Sequence, residues 1–195
     1  MKETAIIILC YLIGSIPFSY LFGRVFGKVD IRARGSGNIG ATNVLRTSGV
    51  PVALIALSGD LFKGILAAWI SFKLGGTTLA AVGSLAAITG HCYPAFLRFR
   101  GGKGVATAAG IILFLMPDMF LVLLGVFVAS VAITRYVSLG SLLAAAIFPL
   151  IVLICMKPWP YIALSFLMAA LVIYRHKDNL KRLRQGQESK INEKA

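Results

Sequence analysis

The sequence predicts an all-α protein that crosses a membrane about seven times, N-terminus outside and C-terminus in the cytoplasm. Three observations carry that expectation. Hydrophobic residues make up 58% of the chain and charged residues only 14%, where a soluble domain is about a quarter charged, and mean hydropathy is +0.85. The apolar residues come in long runs rather than an amphipathic rhythm, and runs of about 18 or more read as membrane-spanning helices. The positive charges, finally, are one-sided. A net charge of +13 would point to nucleic acid in a soluble chain. In a membrane protein it first reflects topology, because Lys and Arg favour cytoplasmic loops, and no nucleic-acid partner is expected.

The first apolar segment, 4–23, follows Met1-Lys2-Glu3 with no strong basic leader and no small-residue cleavage site. It reads as a retained helix rather than a signal peptide. The others are 52–72, 78–97, 104–116, 118–134, 139–156 and 159–175. The fourth is short and parted from the fifth by Pro117-Asp118. Together those two are about twice the length one crossing needs, so they count separately, with five or six crossings as the alternative. There is no internal repeat or low-complexity linker, and residues 1–195 are expected to form one transmembrane domain. With the N-terminus outside, Lys2, Lys73 and Lys157 lie outside and Lys63 within a span. Every other Lys and Arg, from Arg24 to Lys194, is cytoplasmic. The polar loops fall on that same side. Cys10, Cys92 and Cys155 have no metal-ligand spacing and read as small hydrophobes in packed helices.

Three cytoplasmic stretches carry chemistry. "RGSGNIGATNVLRTSG", 34–49, combines glycines, which let backbone N–H groups approach a ligand, with the neutral donors Ser36, Asn38, Thr42 and Asn43 and with Arg46, which can fork onto phosphate oxygens. A loop of this kind that feeds a helix N-terminus makes an anion cradle. No Gly-Lys-Ser/Thr follows, so it is not a Walker loop, and the bland alternative is a flexible basic loop. "RFRGGKGVATAAG", 98–110, places Gly101, Gly102, Lys103 and Gly104 where the short segment begins. A basic turn on anionic headgroups would not need glycines around one lysine. "RHKDNLKRLRQGQE", 175–188, reads as an amphipathic surface helix with His176 and Asn179 on one face, extended by Arg182. Its Lys177, Lys181 and Arg184 suit simple headgroup contact.

His91, in "GHCYP", is either a hydrogen-bonded bundle histidine or a site residue. Asp60 and Lys63, three apart within a span, read as a structural pair near the site, although ionisable residues there are functional candidates by default. Ser141 adds a polar group at the cytoplasmic end of a span. The seven Asp and Glu residues are scattered, which argues against a phosphotransferase that clusters aspartates around magnesium. No Ser-His-Asp set can be assembled. A His-x-x-x-x-Asp acyltransferase motif is absent too, since Phe96 follows His91 and Lys181 follows His176 at that spacing. No metal or cofactor is expected. A transporter for a phosphate-bearing solute is the competing class. It would put polar or broken-helix features on both faces and near the midplane, whereas here they lie on one face, apart from Asp60 and Lys63.

On "GSIPFSYLFGR" (14–24), "DIRARGSGNIGATNVLR" (30–46), "GDLFKG" (59–64), "GHCYPAFLRFRGGKGVAT" (90–107) and "HKDNLKRLRQGQE" (176–188), the chain resembles the bacterial acyl-phosphate-dependent glycerol-3-phosphate acyltransferases. This integral membrane family has about this chain length. The resemblance implies a seven-helix bundle in the bacterial plasma membrane with its site facing the cytoplasm. It also implies acyl transfer from acyl phosphate to sn-glycerol 3-phosphate, giving lysophosphatidic acid and phosphate, the first step of phospholipid synthesis. The lipid bilayer and the two substrates are then the partners, and association with the enzyme that makes acyl phosphate is a further expectation. His176, Lys103 and Arg46 are the expected catalytic residues. Ser36, Gly37, Asn38, Thr42, Asn43, Gly101, Gly102, Gly104, Ser141 and Asn179 are expected to bind substrate and phosphate, with His91, Arg182 and Glu188 as further candidates. The base is either His176 or a phosphate oxygen of the substrate.

Overall fold

The computed structural model describes residues 1–191 and 193, and all of the regular structure is helical. Lys194, counted above among the tail cations, lies outside the described residues. The first apolar segment is two helices, α1 (Lys2–Ser15) and α2 (Phe18–Val25). Ile16 takes extended backbone, as a residue before proline prefers, and the chain breaks there. The break frees the Ile16 carbonyl, and Lys63 Nζ donates to it at 2.7 Å.

A short helix, α3 (Ala41–Ser48), follows the first glycine loop, and α4 (Val50–Cys92) begins one residue beyond Gly49 with Pro51 in its first turn, where the missing N–H costs nothing. The segments 52–72 and 78–97 are both in α4. Its helical dihedrals fail only at Gly75 and Gly76, and Gly76, at φ 66, sits in the left-handed region that favours glycine. The second limb stops at Cys92, short of 97, because Tyr93 precedes Pro94. A single 3-10 turn, Ala95–Leu97, follows.

The remaining apolar segments form α5 (Val105–Leu115), α6 (Pro117–Thr134), α7 (Val137–Ile154) and α8 (Trp159–Arg175). The tail helix α9 (Lys177–Arg184) covers only the middle of 175–188. His176 is not inside it but at the junction of α8 and α9. Four helical stretches, Lys2–Val25, Val50–Leu97, Pro117–Thr134 and Val137–Ile154, are long and apolar enough to cross a membrane. The helix α5, at 11 residues, spans only about 16 Å at 1.5 Å per residue.

Small residues bring these helices together, as expected where lipid supplies no hydrophobic drive between them. Gly14 meets the Ala87 backbone and Gly90 the Tyr11 backbone, seating α1 on the second limb of α4. Gly64 meets the Thr107 backbone and Gly110 that of Leu61, seating α5 on the first limb. Between the limbs lies a buried polar knot. Lys63 Nζ is 2.8 Å from Asp60 Oδ1, and Ser19 Oγ donates to Asp60 Oδ2 at 2.5 Å. His91 Nδ1 is 3.6 Å from Asp60 Oδ1. Asp60 and Lys63 therefore do pair, and the pair is tied to α2 and to the break after α1. Of the cysteines, Cys10 and Cys92 are buried, but Cys155 is exposed at the end of α7.

Candidate active site

A cavity of about 690 Å³ opens among α3, both limbs of α4, α5, α6, α7, α8 and the returning tail. Its two ends differ chemically. One is lined by Ser36, Arg46, Lys103, His176, Asn179 and Arg182, the other by Leu61, Ile112, Phe120, Leu123, Phe148 and Met168. Leu57 and Leu124 also line it, yet each is about two-fifths exposed, so part of the apolar wall is also the outer surface of the bundle. A smaller polar cavity of about 230 Å³ adjoins it and shares Ser36, Asn38, Lys103, Asn179 and Arg182.

The first glycine loop is built around Asn43, 2% exposed. Its amide donates to the carbonyls of Ile31 (2.7 Å) and Arg34 (3.1 Å), and its Oδ1 accepts from the Ser36 N–H (2.9 Å). Asn43 lines the cavity, but all of these bonds go to the loop itself, which curls over the start of α3. One turn further along that helix stands Arg46. Its Nη2 donates to the Ser189 carbonyl at 3.0 Å, while its buried Nε has no partner among the described residues. Ser36, Asn38 and Thr42 line the cavity beside it.

The second loop works by close approach. A side chain on Gly101 would run into the His91 and Cys92 carbonyls, and one on Gly102 into the His91 ring. The Gly102 N–H donates to the His91 carbonyl at 3.1 Å. Gly101 and Gly102 do not line the large cavity, whereas Lys103 and Gly104 do; Gly37, in the first loop, does not either. Lys103 makes no ion pair among the described residues. Burial pulls its ammonium down to about 8, with Arg182, Arg46 and Arg175 acting in the same sense and Glu188 opposing.

The tail closes the polar end. Glu188 Oε1 accepts from Ser138 Oγ at 2.7 Å and Asn179 Nδ2 at 2.6 Å, and Oε2 from Arg182 Nε at 2.8 Å. Burial alone would raise its carboxyl, but those donors hold it below the ordinary value. Asn179 Oδ1 stays buried without a partner among the described residues. His176 Nδ1 lies 2.8 Å from the Val172 carbonyl. A carbonyl can only accept, so Nδ1 carries the proton and Nε2 the lone pair. Burial first, then the Lys103 charge, pushes the imidazole down to about 4, and His176 is neutral at pH 7.

Among the sequence-derived candidates, Ser36, Asn38, Thr42, Asn43, Arg46, His91, Lys103, Gly104, Ser141, His176, Asn179, Arg182 and Glu188 share one cavity. Ser141 Oγ donates within its own helix, to the Val137 carbonyl at 2.9 Å. Ser138, one turn earlier, is the serine that reaches Glu188 and was not singled out. Asp60 also lines the cavity, although it was read only as part of a structural pair. Among the described residues no group of three His, Cys, Asp or Glu is placed to hold a metal ion.

The chain is similar to known proteins over nearly its whole length. The family model described as glycerol-3-phosphate acyltransferase matches residues 4–186. The glycerol-3-phosphate acyltransferase of Syntrophomonas wolfei subsp. wolfei is 57% identical over 195 residues, covering 100% of both chains. Glycerol-3-phosphate acyltransferase 2 of Moorella thermoacetica is 47% identical over 189 residues, 97% of each chain. A crystal structure of PlsY (YgiH), an integral membrane glycerol 3-phosphate acyltransferase, in its glycerol 3-phosphate form, superposes with a TM-score of 0.93 at 36% identity, covering 97% of this chain and 96% of that one. The lysophosphatidic acid form gives 0.91 at 35% identity, with 97% and 95% covered. An enzyme is thereby favoured over the transporter considered from sequence, and the chain belongs to the integral membrane glycerol-3-phosphate acyltransferase family.

Proposed function

We propose that this chain transfers a fatty acyl group from acyl phosphate to a hydroxyl of sn-glycerol 3-phosphate, releasing inorganic phosphate and lysophosphatidic acid. The observation that carries the reading is the single cavity with two chemically opposite ends. Its polar end holds Arg46 and Lys103, neither with a carboxylate partner among the described residues, and suits phosphate. The apolar end suits an acyl chain, which leaves toward lipid past Leu57 and Leu124.

An acyl phosphate is already activated, so the protein supplies position, charge and a route for one proton. Lys103 and Arg46 neutralise the departing phosphate. Ser36, Asn38 and Thr42, with the backbone at Gly35, Gly40 and Gly104, complete the phosphate contacts, while Asn43 shapes the first loop. His176 Nε2 and Asn179 Oδ1 accept hydrogen bonds from the glycerol hydroxyls. Arg182, held by Glu188, faces the incoming glycerol phosphate. The hydroxyl oxygen attacks the acyl carbon, the bond from that carbon to the phosphate oxygen breaks, and the hydroxyl proton passes to a phosphate oxygen of glycerol 3-phosphate. That oxygen is the stronger base: a phosphate monoester has its second ionisation near pH 6, at about 6, above His176 at about 4.

The helices support seven crossings, N-terminus outside, in the bacterial plasma membrane. The two limbs of α4 each make one, α5 makes a short one, and Arg46, Lys103 and His176, from three separate connections, meet Ser138 of the first turn of α7 at one cytoplasmic end. Residues 1–195 act as one domain. That end is also where the enzyme that makes acyl phosphate would dock.

The test is incubation of purified protein with acyl phosphate and labelled glycerol 3-phosphate. A lipid-soluble labelled product is expected, and none from acyl phosphate under conditions where the protein is folded would sink the donor assignment. His176→Gln separates the two bases. It should slow turnover by less than about a hundredfold, the least expected from removing a general base, while the pH profile keeps its shape. A lost acid limb would make His176 the base.

A further inference from the structure

Arg175, the last residue of α8, has no part in the reaction as described, yet one edge of its guanidinium is taken up by backbone. Nη2 donates to the Gly101 carbonyl at 2.9 Å and Nε to the Gly102 carbonyl at 3.1 Å. Its carbon lies 4.9 Å from the centre of the Tyr93 ring. That platform is itself fixed, because the Tyr93 N–H donates to Thr89 and its carbonyl accepts from the Tyr11 hydroxyl, both at 2.8 Å. With the Gly102 N–H on the His91 carbonyl, the turn is gripped from three sides. We propose that Arg175 is a positioning residue: it locks the Gly101–Gly102 turn with both carbonyls turned onto its own guanidinium, and so presents Lys103 to the phosphate. This rests on the assignment of Lys103 as a phosphate-binding cation.

Two physical arguments support it. Consecutive glycines are the costliest residues to order, and this pair must be glycine because side chains would strike His91 and Cys92. Order therefore has to come from outside the turn. Carbonyl oxygens turned toward a bound anion would also repel it, and Arg175 takes up both. Only a planar fork can bind two neighbouring carbonyls while stacking on an aromatic ring, and a lysine ammonium cannot. Arg175 also borders the smaller cavity together with Lys103, so direct phosphate contact is the rival role. An arginine in direct contact would also fork onto phosphate, so the rival is told apart by its independence of Lys103: a further loss of affinity when Arg175→Gln is added to Lys103→Ala would overturn the proposal, and no further loss is expected.

Calorimetric binding of inorganic phosphate to the full chain in detergent distinguishes them, using wild type, Lys103→Ala, Arg175→Gln, Arg175→Lys and the double variant Lys103→Ala with Arg175→Gln. The expected result is a loss of affinity of about tenfold in both Arg175 variants, at unchanged binding stoichiometry and with thermal unfolding within a few degrees of wild type. Wild-type affinity in Arg175→Lys would overturn the proposal, because charge alone would then suffice. Wild-type affinity in both variants would overturn it as well, as would a fall in stoichiometry at unchanged affinity, the mark of a merely structural role. Should Arg175→Gln fail to fold, Arg175→Lys carries the test. If Lys103→Ala itself binds phosphate like wild type, the Lys103 assignment fails, and that outcome is distinct from failure of the Arg175 proposal alone.

Discussion

The two glycine loops read alike in sequence and are built on opposite plans. In residues 35–40 the glycines free the backbone to curl, and the polar residues brought to the cavity are Ser36 and Asn38 from the loop and Thr42 and Arg46 from the helix it feeds. Asn43 holds the curl from inside. In residues 101–104 the first two glycines are packing residues pressed on the end of α4, and the work at the cavity falls on Lys103 and Gly104. A glycine-rich loop can thus signal approach to a ligand or approach to another helix. The neighbours, not the glycines, decide which.

That contrast makes its largest prediction at Lys103. If the second loop exists to present one cation, Lys103→Ala should lower kcat by about 10²–10³-fold, the scale for losing one charge-stabilising donor, with little change in thermal unfolding. Residual activity within tenfold of wild type would mean that Arg46 carries the phosphate alone. A milder variant tests the same group through pH. Lys103 is charged below about 8 and neutral above it, so kcat/KM should fall about tenfold per unit as pH rises beyond that point. In Lys103→Arg, whose guanidinium stays charged, this basic limb should disappear. A limb that persists would belong to another group.

Gly102 against Gly40 tests the packing half of the comparison. Gly102→Ala drives a methyl into the His91 ring and should cost about 1–3 kcal/mol, the usual penalty for overpacking. Unfolding temperature in detergent should fall by roughly 2–4 °C for each of those. At Gly40 the nearest atom to an added methyl is Asn38 Oδ1 at 3.4 Å and φ is −126. Gly40→Ala should therefore stay within about 0.5 kcal/mol of wild type. Equal stability of the two variants would erase the distinction between the loops.

How far this was legible from sequence depended on whether the signal was local. Apolar runs mark their own helices, so each of the segments from 4–23 to 159–175 is helical, and Asp60 and Lys63, three apart on one helix, meet as their spacing suggests. The joins and breaks were less visible. The gap between 72 and 78 does mark the break at Gly75 and Gly76, but nothing in the run 4–23 was read as the cut that Pro17 makes in it. Least legible were contacts between distant segments. Glu188 finds Ser138 rather than Ser141, and Arg46 reaches Ser189. No local periodicity encodes such a return of the tail. Arg175 was hidden for another reason: among many loop and tail cations, nothing in the sequence marks the one whose guanidinium faces inward.

The smallest expected effect is the most informative about which phosphate goes where. Ser36 gives its N–H to Asn43, while its hydroxyl has no partner among the described residues and borders both cavities. Ser36→Ala removes one neutral hydrogen bond without disturbing the curl, a loss of about 1 kcal/mol or roughly a fivefold rise in one KM. If the KM for acyl phosphate rises, the first loop holds the donor's phosphate together with Arg46, as proposed; a rise for glycerol 3-phosphate gives the first loop to the acceptor and leaves the donor to the Lys103 turn. If neither KM moves, the hydroxyl touches no substrate. The first loop then acts only through its backbone and Arg46, and the two loops would differ less than their side chains suggest.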